Sequence, residues 1–545
     1  MQKISKIRTI LIFFVFATLY FSVVLNLYLL QIRQRTFFST LANRQYHIEL
    51  TSQPIRGEIL DRFGRVLAAN KESLSAFVIP RQIQDPDRLH KFLQKYFPQA
   101  MERLPAYADK HFMYVSRRFP SAICEQAECE KVVDLKFMQE PSRFYPNLST
   151  GQIVGVTGVD NHGLFGIEQI YDHLLAGDPA SFILEKDARS NHFYFQSQTQ
   201  NHGVPGQSIN LTIDGDLQYL VQEAVAEAVD RLHATLGMAV VLDPTNGEIL
   251  SLVSCPTFDP NETTDLDLAV TKPLPITDAY EFGSIMKVFV ALAALTEGVV
   301  QIDELIDCEN QAEAVIDGMR FSTVQASVRG EVTFREVVAR SNNIGMVKVA
   351  KRLGNKLYDH YKKCGFGTKT GLNFLGEQIG SITHPRNWSK RSIISLAFGY
   401  EVSATLLQVA RAFSLIANGG YLVTPTLILK DQPEPPIKKY DSGVINTVQE
   451  ILRETVQNGT GVRAKIHGYD VMGKTGTANL LVDGTYSPDH LIFTFAGIVQ
   501  KDNYRRVIVT CIKDAKSSKR LYGSNTAAPL FEKIAEQMLV HDRVV

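Results

Sequence analysis

The chain has 545 residues, 45% hydrophobic and 21% charged, and its 57 basic and 57 acidic side chains cancel. That composition supplies core for about three or four structural units. Zero net charge argues against a nucleic-acid protein, which would show a basic face or tail, and no low-complexity tract or internal repeat marks a fibrous or solenoid chain.

The first element lies at the N-terminus. Thr9 to Leu30 contains no charged residue. A helix of roughly 22 residues rises about 33 Å, enough to cross a bilayer core. Lys3, Lys6 and Arg8 precede it and favour an N-inside orientation; Arg33 and Arg35 follow, so the asymmetry is modest. A cleaved signal peptide is the competing reading, but its apolar core would be long and Thr40-Leu41-Ala42 is a poor cleavage site. An uncleaved anchor is therefore expected, with everything after about residue 31 outside the cytoplasmic membrane.

Next comes Arg56-Gly57-Glu58-Ile59-Leu60-Asp61-Arg62-Phe63-Gly64, which reads as a turn, a short strand and a second turn. Apolar spacing after Gly166, through Tyr171 and Leu174, predicts a helix ending near Gly177. The charged residues of this region read as solvated surface or local ion pairs. Ile209 to Ile213 alternates like a strand, and Asp214 offers an N-cap for a helix to about Leu232. Met238–Leu242 and Ile249–Val253 flank the turn Asp243-Pro244-Thr245-Asn246-Gly247-Glu248, a hairpin signal. Helical patterns dominate from Ser284 to about Ala417. Phe493–Val499 and Arg506–Ile512 read as strands, and a helix follows Ala527. A sheet of early and late strands around a helical region is an α+β arrangement.

Six cysteines are scattered without a Cys-x-x-Cys pair or a His-rich partner, so no metal is expected. Cys124 and Cys129 are close enough in sequence to bridge in an oxidising compartment, although spacing does not establish it. Cys255, Cys308, Cys364 and Cys511 read as unpaired thiols, mostly buried.

Three motifs carry chemistry. Ser284-Ile285-Met286-Lys287, Ser341-Asn342-Asn343 and Lys474-Thr475-Gly476-Thr477 stand in that order. A serine hydroxyl needs an adjacent base to become a nucleophile. Lys287 follows Ser284 by about one helical turn, so the two side chains share a helix face. Ser341 and Lys474 reach the same cleft only through folding. A lone Ser-x-x-Lys occurs about twice by chance in such a chain, and Lys-Thr-Gly about once in ten such chains. Order and spacing therefore carry the weight, against the alternatives of an ordinary helix turn at Ser284 and a Gly turn before an edge strand at Gly476.

With these motifs the chain resembles the class B penicillin-binding proteins, monofunctional peptidoglycan D,D-transpeptidases, over nearly its whole length after the anchor. Arg56-Gly57 resembles the family's non-catalytic pedestal motif. The hairpin at 238–253, Pro256-Thr257-Phe258-Asp259-Pro260, Phe398-Gly399-Tyr400 and Gln408-Val409-Ala410-Arg411-Ala412 resemble parts of its catalytic domain. Val156-Thr157-Gly158-Val159-Asp160 leading into Gly166-Ile167-Glu168 resembles the septal, division-type members. The family usually has proline where Phe282 stands and threonine where Ile285 stands, which alters pocket shape but not the reacting groups.

The resemblance implies a cytoplasmic tail at 1–8, an anchor at 9–30, a dimerisation-like pedestal at 31–205 and a serine β-lactamase-like transpeptidase domain at 206–545 with a central antiparallel sheet. It implies a Ser284 nucleophile, Lys287 as base, Ser341 as proton relay, Asn343 binding the substrate amide, and Lys474, Thr475 and Thr477 holding a terminal carboxylate. Gly476 would admit the substrate backbone. It also implies no cofactor or metal, stem peptides as substrates, β-lactams as covalent inhibitors, and SEDS-family and division-complex membrane proteins as partners. The catalytic domain would lie on the periplasmic side of a single-pass inner-membrane protein. A D,D-carboxypeptidase or β-lactamase is the main alternative, with Glu377 as its nearest candidate for activating water; Glu377 reads instead as part of a loop. An elongation-type role, a β-lactam sensor, an idle scaffold and a bifunctional glycosyltransferase–transpeptidase are further alternatives. Trp388 reads as a packed core residue rather than a cleft residue.

Overall fold

The computed structural model describes residues 6–52, 54–110, 112–119, 122–186, 193–263, 266–311, 313–316, 319–322, 329–518 and 520–544. The chain separates into two compact units, Met1–Arg56 with Ala176–Gln207, and Gly57–Leu175 with Ser208–Val545.

In the first unit, helix α1 (Lys6–Tyr28) continues through a wider turn at Leu29–Arg33. Lys6–Arg33 is long and apolar enough to cross a membrane once, about 42 Å of rise, and none of it is buried. His47–Ser52, Ala180–Lys186 and Phe193–Asn201 form a three-stranded antiparallel sheet.

The second unit begins with Ile59–Leu60, which pairs antiparallel with Val66–Val78 and parallel with Ile209–Asn210. The turn between the first two strands is set by Asp61, whose Oδ1 accepts the N–H groups of Phe63 and Arg65. Arg65 reaches from this turn to Asp214 at 2.8 Å. Asp214 caps helix α2 (Gly215–Arg231), accepting from Asp216 N and Leu217 N, and meets His541 Nε2 at 2.7 Å. The expected helix after Gly166 is broken into Gly166–Ile170 and Asp172–Leu175.

The charged residues here are not all solvated. Arg143 Nε donates to Glu168 Oε1 at 2.7 Å, with the side chains 1% and 0% exposed. The Tyr145 hydroxyl donates to the same carboxylate oxygen and accepts from Thr157 N. Burial turns what the sequence suggested was surface charge into an internal pair spanning 25 positions.

The central sheet holds β1 (Leu236–Leu242), β2 (Ile249–Cys255), and then β3 (Asp470–Val482), β4 (Thr485–Lys501) and β5 (Tyr504–Lys513) from the far end of the chain. Its order is β2-β1-β5-β4-β3, antiparallel throughout, with β3 on an edge. Both faces are covered, so β1 and β2 are apolar at nearly every position. On one face Ala239, Val241 and Phe495 meet Leu217 and Val225 of α2 and Phe531 of α8, the C-terminal helix Ala527–His541. On the other, Met238, Val240 and Val509 meet the helical region. That region contains α3 (Lys287–Thr296), α4 (Phe334–Ala339), α5 (Asn343–Leu353), α6 (Leu406–Ala417) and α7 (Ser442–Gln457). It is less uniformly helical than expected, because short strands pair within it: Leu305–Asp307 with Glu331–Thr333, and Glu313–Ile316 with Met319–Ser322. Trp388 is half-buried against the core, its indole N–H donating to Thr383 O at 2.7 Å. All six cysteines are free.

Removing one partner of a buried ion pair leaves the other stranded. Glu168→Ala is expected to cost about 3–5 kcal/mol and lower the unfolding midpoint of the purified chain; an unchanged midpoint would show that Arg143 finds solvent.

Candidate active site

Ser284 sits in a tight turn, Gly283–Met286, that runs directly into α3. The turn is wedged. Gly283 has φ +55°, and a Cβ there would come within 2.6 Å of the Thr477 carbonyl. Gly399, φ +87°, lies against the Gly283 carbonyl, where any side chain would collide. α3 is apolar on all sides and buried from Lys287 to Ala294, so its start is held in the core. Ser284 is partly accessible, and its hydroxyl makes no hydrogen bond among the described residues.

Lys287 is wholly buried at the first position of α3. Its amine donates to Asn343 Oδ1 at 2.6 Å, Ser341 O at 2.7 Å and Ser341 Oγ at 3.2 Å. Ser341 takes φ +61°, a left-handed conformation that costs a serine about 1–3 kcal/mol. Asn342 follows as the N-cap of α5, accepting from Gly345 N at 2.8 Å, which places Asn343 at the helix start.

Lys474, in the edge strand β3, is also fully buried. Its amine donates to Thr475 O at 3.1 Å. Among the described residues, no carboxylate pairs with Lys287 or Lys474. Burial alone pulls the Lys474 pKa down to about 7. Burial, and then the charge of Lys474, hold Lys287 well below an ordinary lysine. Lys287 is thus driven towards the neutral form, which a general base requires.

The remaining motif residues line the same edge. The Thr475 and Thr460 hydroxyls are 2.7 Å apart. Gly523 N donates to the Thr477 hydroxyl at 3.0 Å. A side chain at Gly476 would meet Phe282 O at 2.6 Å and Ile285 Cγ1 at 2.8 Å. Phe282 and Ile285 are themselves buried. Ser284, Lys287, Ser341, Asn343, Lys474, Thr475, Gly476 and Thr477 therefore gather in one place. Glu377 stands in a loop, its Oε1 accepting the Thr370 N–H at 2.7 Å and the Thr370 hydroxyl at 2.5 Å. Sequence reasoning missed Thr460 and Gly523. The run Gly459-Thr460-Gly461 reads only as a turn, and nothing around Gly523 signals that its amide meets Thr477.

Comparison with known proteins identifies the family of the chain. Residues 237–536 match the family described as the penicillin-binding protein transpeptidase domain, and residues 51–211 match the penicillin-binding protein dimerisation domain. Stage V sporulation protein D of Bacillus subtilis is 32% identical over 92% of this chain and 80% of its own length. Peptidoglycan D,D-transpeptidase FtsI of Escherichia coli is 29% identical over 88% of this chain and 82% of its own. The crystal structure of penicillin-binding protein 3 from Mycobacterium tuberculosis, complexed with aztreonam, has a TM-score of 0.68 at 26% identity, covering 91% of this chain and 98% of that one. The chain belongs to the class B penicillin-binding proteins and is a peptidoglycan D,D-transpeptidase.

Two predictions follow from the geometry of the edge strand. A Cβ at Gly523 would run into the Gly476 carbonyl, so Gly523→Ala should push the loop off β3 and slow transpeptidation by about 100-fold; a native rate in a cross-linking assay would refute the contact. For Lys474, the folded pKa of about 7 lies below the ordinary lysine value of 10.5. Between them the unfolded chain binds a proton that the folded chain does not, so this group adds stability as pH rises from about 7 towards 10.5. Lys474→Met should flatten that rise in urea midpoints, and an unaltered slope would show that the amine is not buried.

Proposed function

We propose that the protein cross-links stem peptides through an acyl-enzyme on Ser284. The observation that carries this reading is the buried amine of Lys287, one turn from Ser284, bonded to Ser341 and Asn343 and held neutral by burial and by the charge of Lys474. The Ser284 oxygen attacks the carbonyl of the penultimate D-alanine while its proton passes to neutral Lys287. Backbone N–H groups of Ser284 and Thr477 stabilise the oxyanion, each donor worth about 3–4 kcal/mol. The C–N bond to the terminal D-alanine breaks, and Ser341 relays the proton to the departing amine. Asn343 Oδ1 is engaged by Lys287, leaving the Nδ2 end for the substrate amide. Lys474 and the hydroxyls of Thr475 and Thr477 hold the terminal carboxylate, and Gly476 lets the substrate backbone approach β3. An amine from a neighbouring stem peptide then attacks the ester, forming the cross-link and returning Ser284. β-Lactams acylate the same serine.

The rest of the reading concerns place and partners. Residues 1–8 are the cytoplasmic tail, 9–30 the anchor, 31–205 the pedestal and 206–545 the transpeptidase domain, outside the inner membrane. Support for the orientation comes from Lys3, Lys6 and Arg8 ahead of the apolar helix. The Val156–Asp160 and Gly166–Glu168 pattern supports septal wall synthesis beside a SEDS-family glycosyltransferase and other division proteins.

The test is intact-mass spectrometry of the detergent-solubilised full chain after penicillin, followed over hours. A stable adduct that is lost in Ser284→Ala is expected. An adduct that persists in the variant would overturn the assignment of the serine, and rapid turnover of the adduct would favour a hydrolase.

A further inference from the structure

Thr460 lies outside the three motifs, in the turn between α7 and β3. The turn is pinned on both sides. Gly461 N donates to Thr455 O at 2.9 Å, and Thr460 N donates to Ala339 O at 3.3 Å, two residues before Ser341. Gly459 lies so close to Ala339 O that a side chain there would collide. From this fixed point the Thr460 hydroxyl reaches the Thr475 hydroxyl at 2.7 Å. Thr475 stands on an edge strand, paired on one side only with β4. Its hydroxyl would otherwise rotate among staggered positions. One residue thus touches both the segment leading into Ser341 and the strand carrying Lys474.

We propose that Thr460 is a positioning residue for the transpeptidase reaction, holding the Thr475 hydroxyl in line with the substrate's terminal carboxylate and β3 in register with the Ser341 segment. The proposal rests on the reading of Thr475 as a carboxylate-binding group. A carboxylate is an acceptor only, so Thr475 must donate its proton to it. In the free protein the Thr475 hydroxyl donates to Thr460; when a carboxylate binds, Thr475 turns its proton to it and Thr460 becomes the donor of the bond between the two hydroxyls. Valine at 460 keeps the shape and loses that donor; serine keeps the donor.

The experiment measures the second-order rate of acylation by benzylpenicillin, read by intact mass on the detergent-solubilised full chain, with unfolding midpoints alongside. The variants are Thr460→Val, Thr460→Ser, Thr475→Val and the Thr460→Val/Thr475→Val double. Thr460→Val should slow acylation about tenfold, Thr460→Ser should return to within about twofold of the native rate, and Thr460→Val should add nothing in the Thr475→Val background. If Thr460→Val does not fold, Thr460→Ala carries the same comparison. A native rate in Thr460→Val, failure of serine to rescue, or losses that multiply in the double variant would each overturn the role of Thr460 while leaving Thr475 in place. A native rate in Thr475→Val would overturn the carboxylate reading and this proposal with it.

Discussion

Two buried lysine amines, one of them lowered in pKa by the charge of the other, with no carboxylate paired to either among the described residues, set the terms for this molecule. Taking a cation out of water is expensive, and a second cation nearby makes it worse. The protein lowers the cost by shedding charge. It surrounds Lys287 with neutral oxygens from Ser341 and Asn343, and it holds Lys474 against a backbone carbonyl. The fold must keep both amines in place against that cost. α3 does so by being apolar all round. Ser341 does so by accepting a left-handed backbone that offers two oxygens to one amine.

The parts of the site that were legible in the sequence are those fixed over short distances. Ser284 and Lys287 share one turn, and Asn342 caps the helix that begins at Asn343. The β1–β2 hairpin announced itself through Asp243-Pro244-Thr245-Asn246-Gly247-Glu248 between two apolar runs. The third motif was harder to place. Gly473 and Gly476 weaken any strand signal, yet both lie inside β3, where they leave room for Phe495 and for the Ser284 turn respectively. The break near Tyr171 and the short strand pairs between α3 and α4 were also hidden, because tertiary contacts rather than local preference decide them. Thr460 and Gly523 matter through bonds to residues 15 and 46 positions away, and spacing does not report such bonds.

The departures at Phe282 and Ile285 gain a physical meaning. Both side chains are buried, and Ile285 packs where a side chain at Gly476 would otherwise go. The Ile285 side chain and the Phe282 carbonyl both lie against Gly476, while the reacting atoms remain the same.

The order of strands in the central sheet has a consequence for how the protein is made. β1 and β2 leave the ribosome early, apolar on both faces, but β1's other neighbour is β5. The roughly 250 residues between Cys255 and Tyr504 take about 12–50 s to synthesise at about 5–20 residues per second. For that interval the hairpin presents an unpaired, water-insoluble edge, the kind of surface that captures other chains. The second edge of β1 therefore stays unpaired until β5, in the last tenth of the polypeptide, arrives.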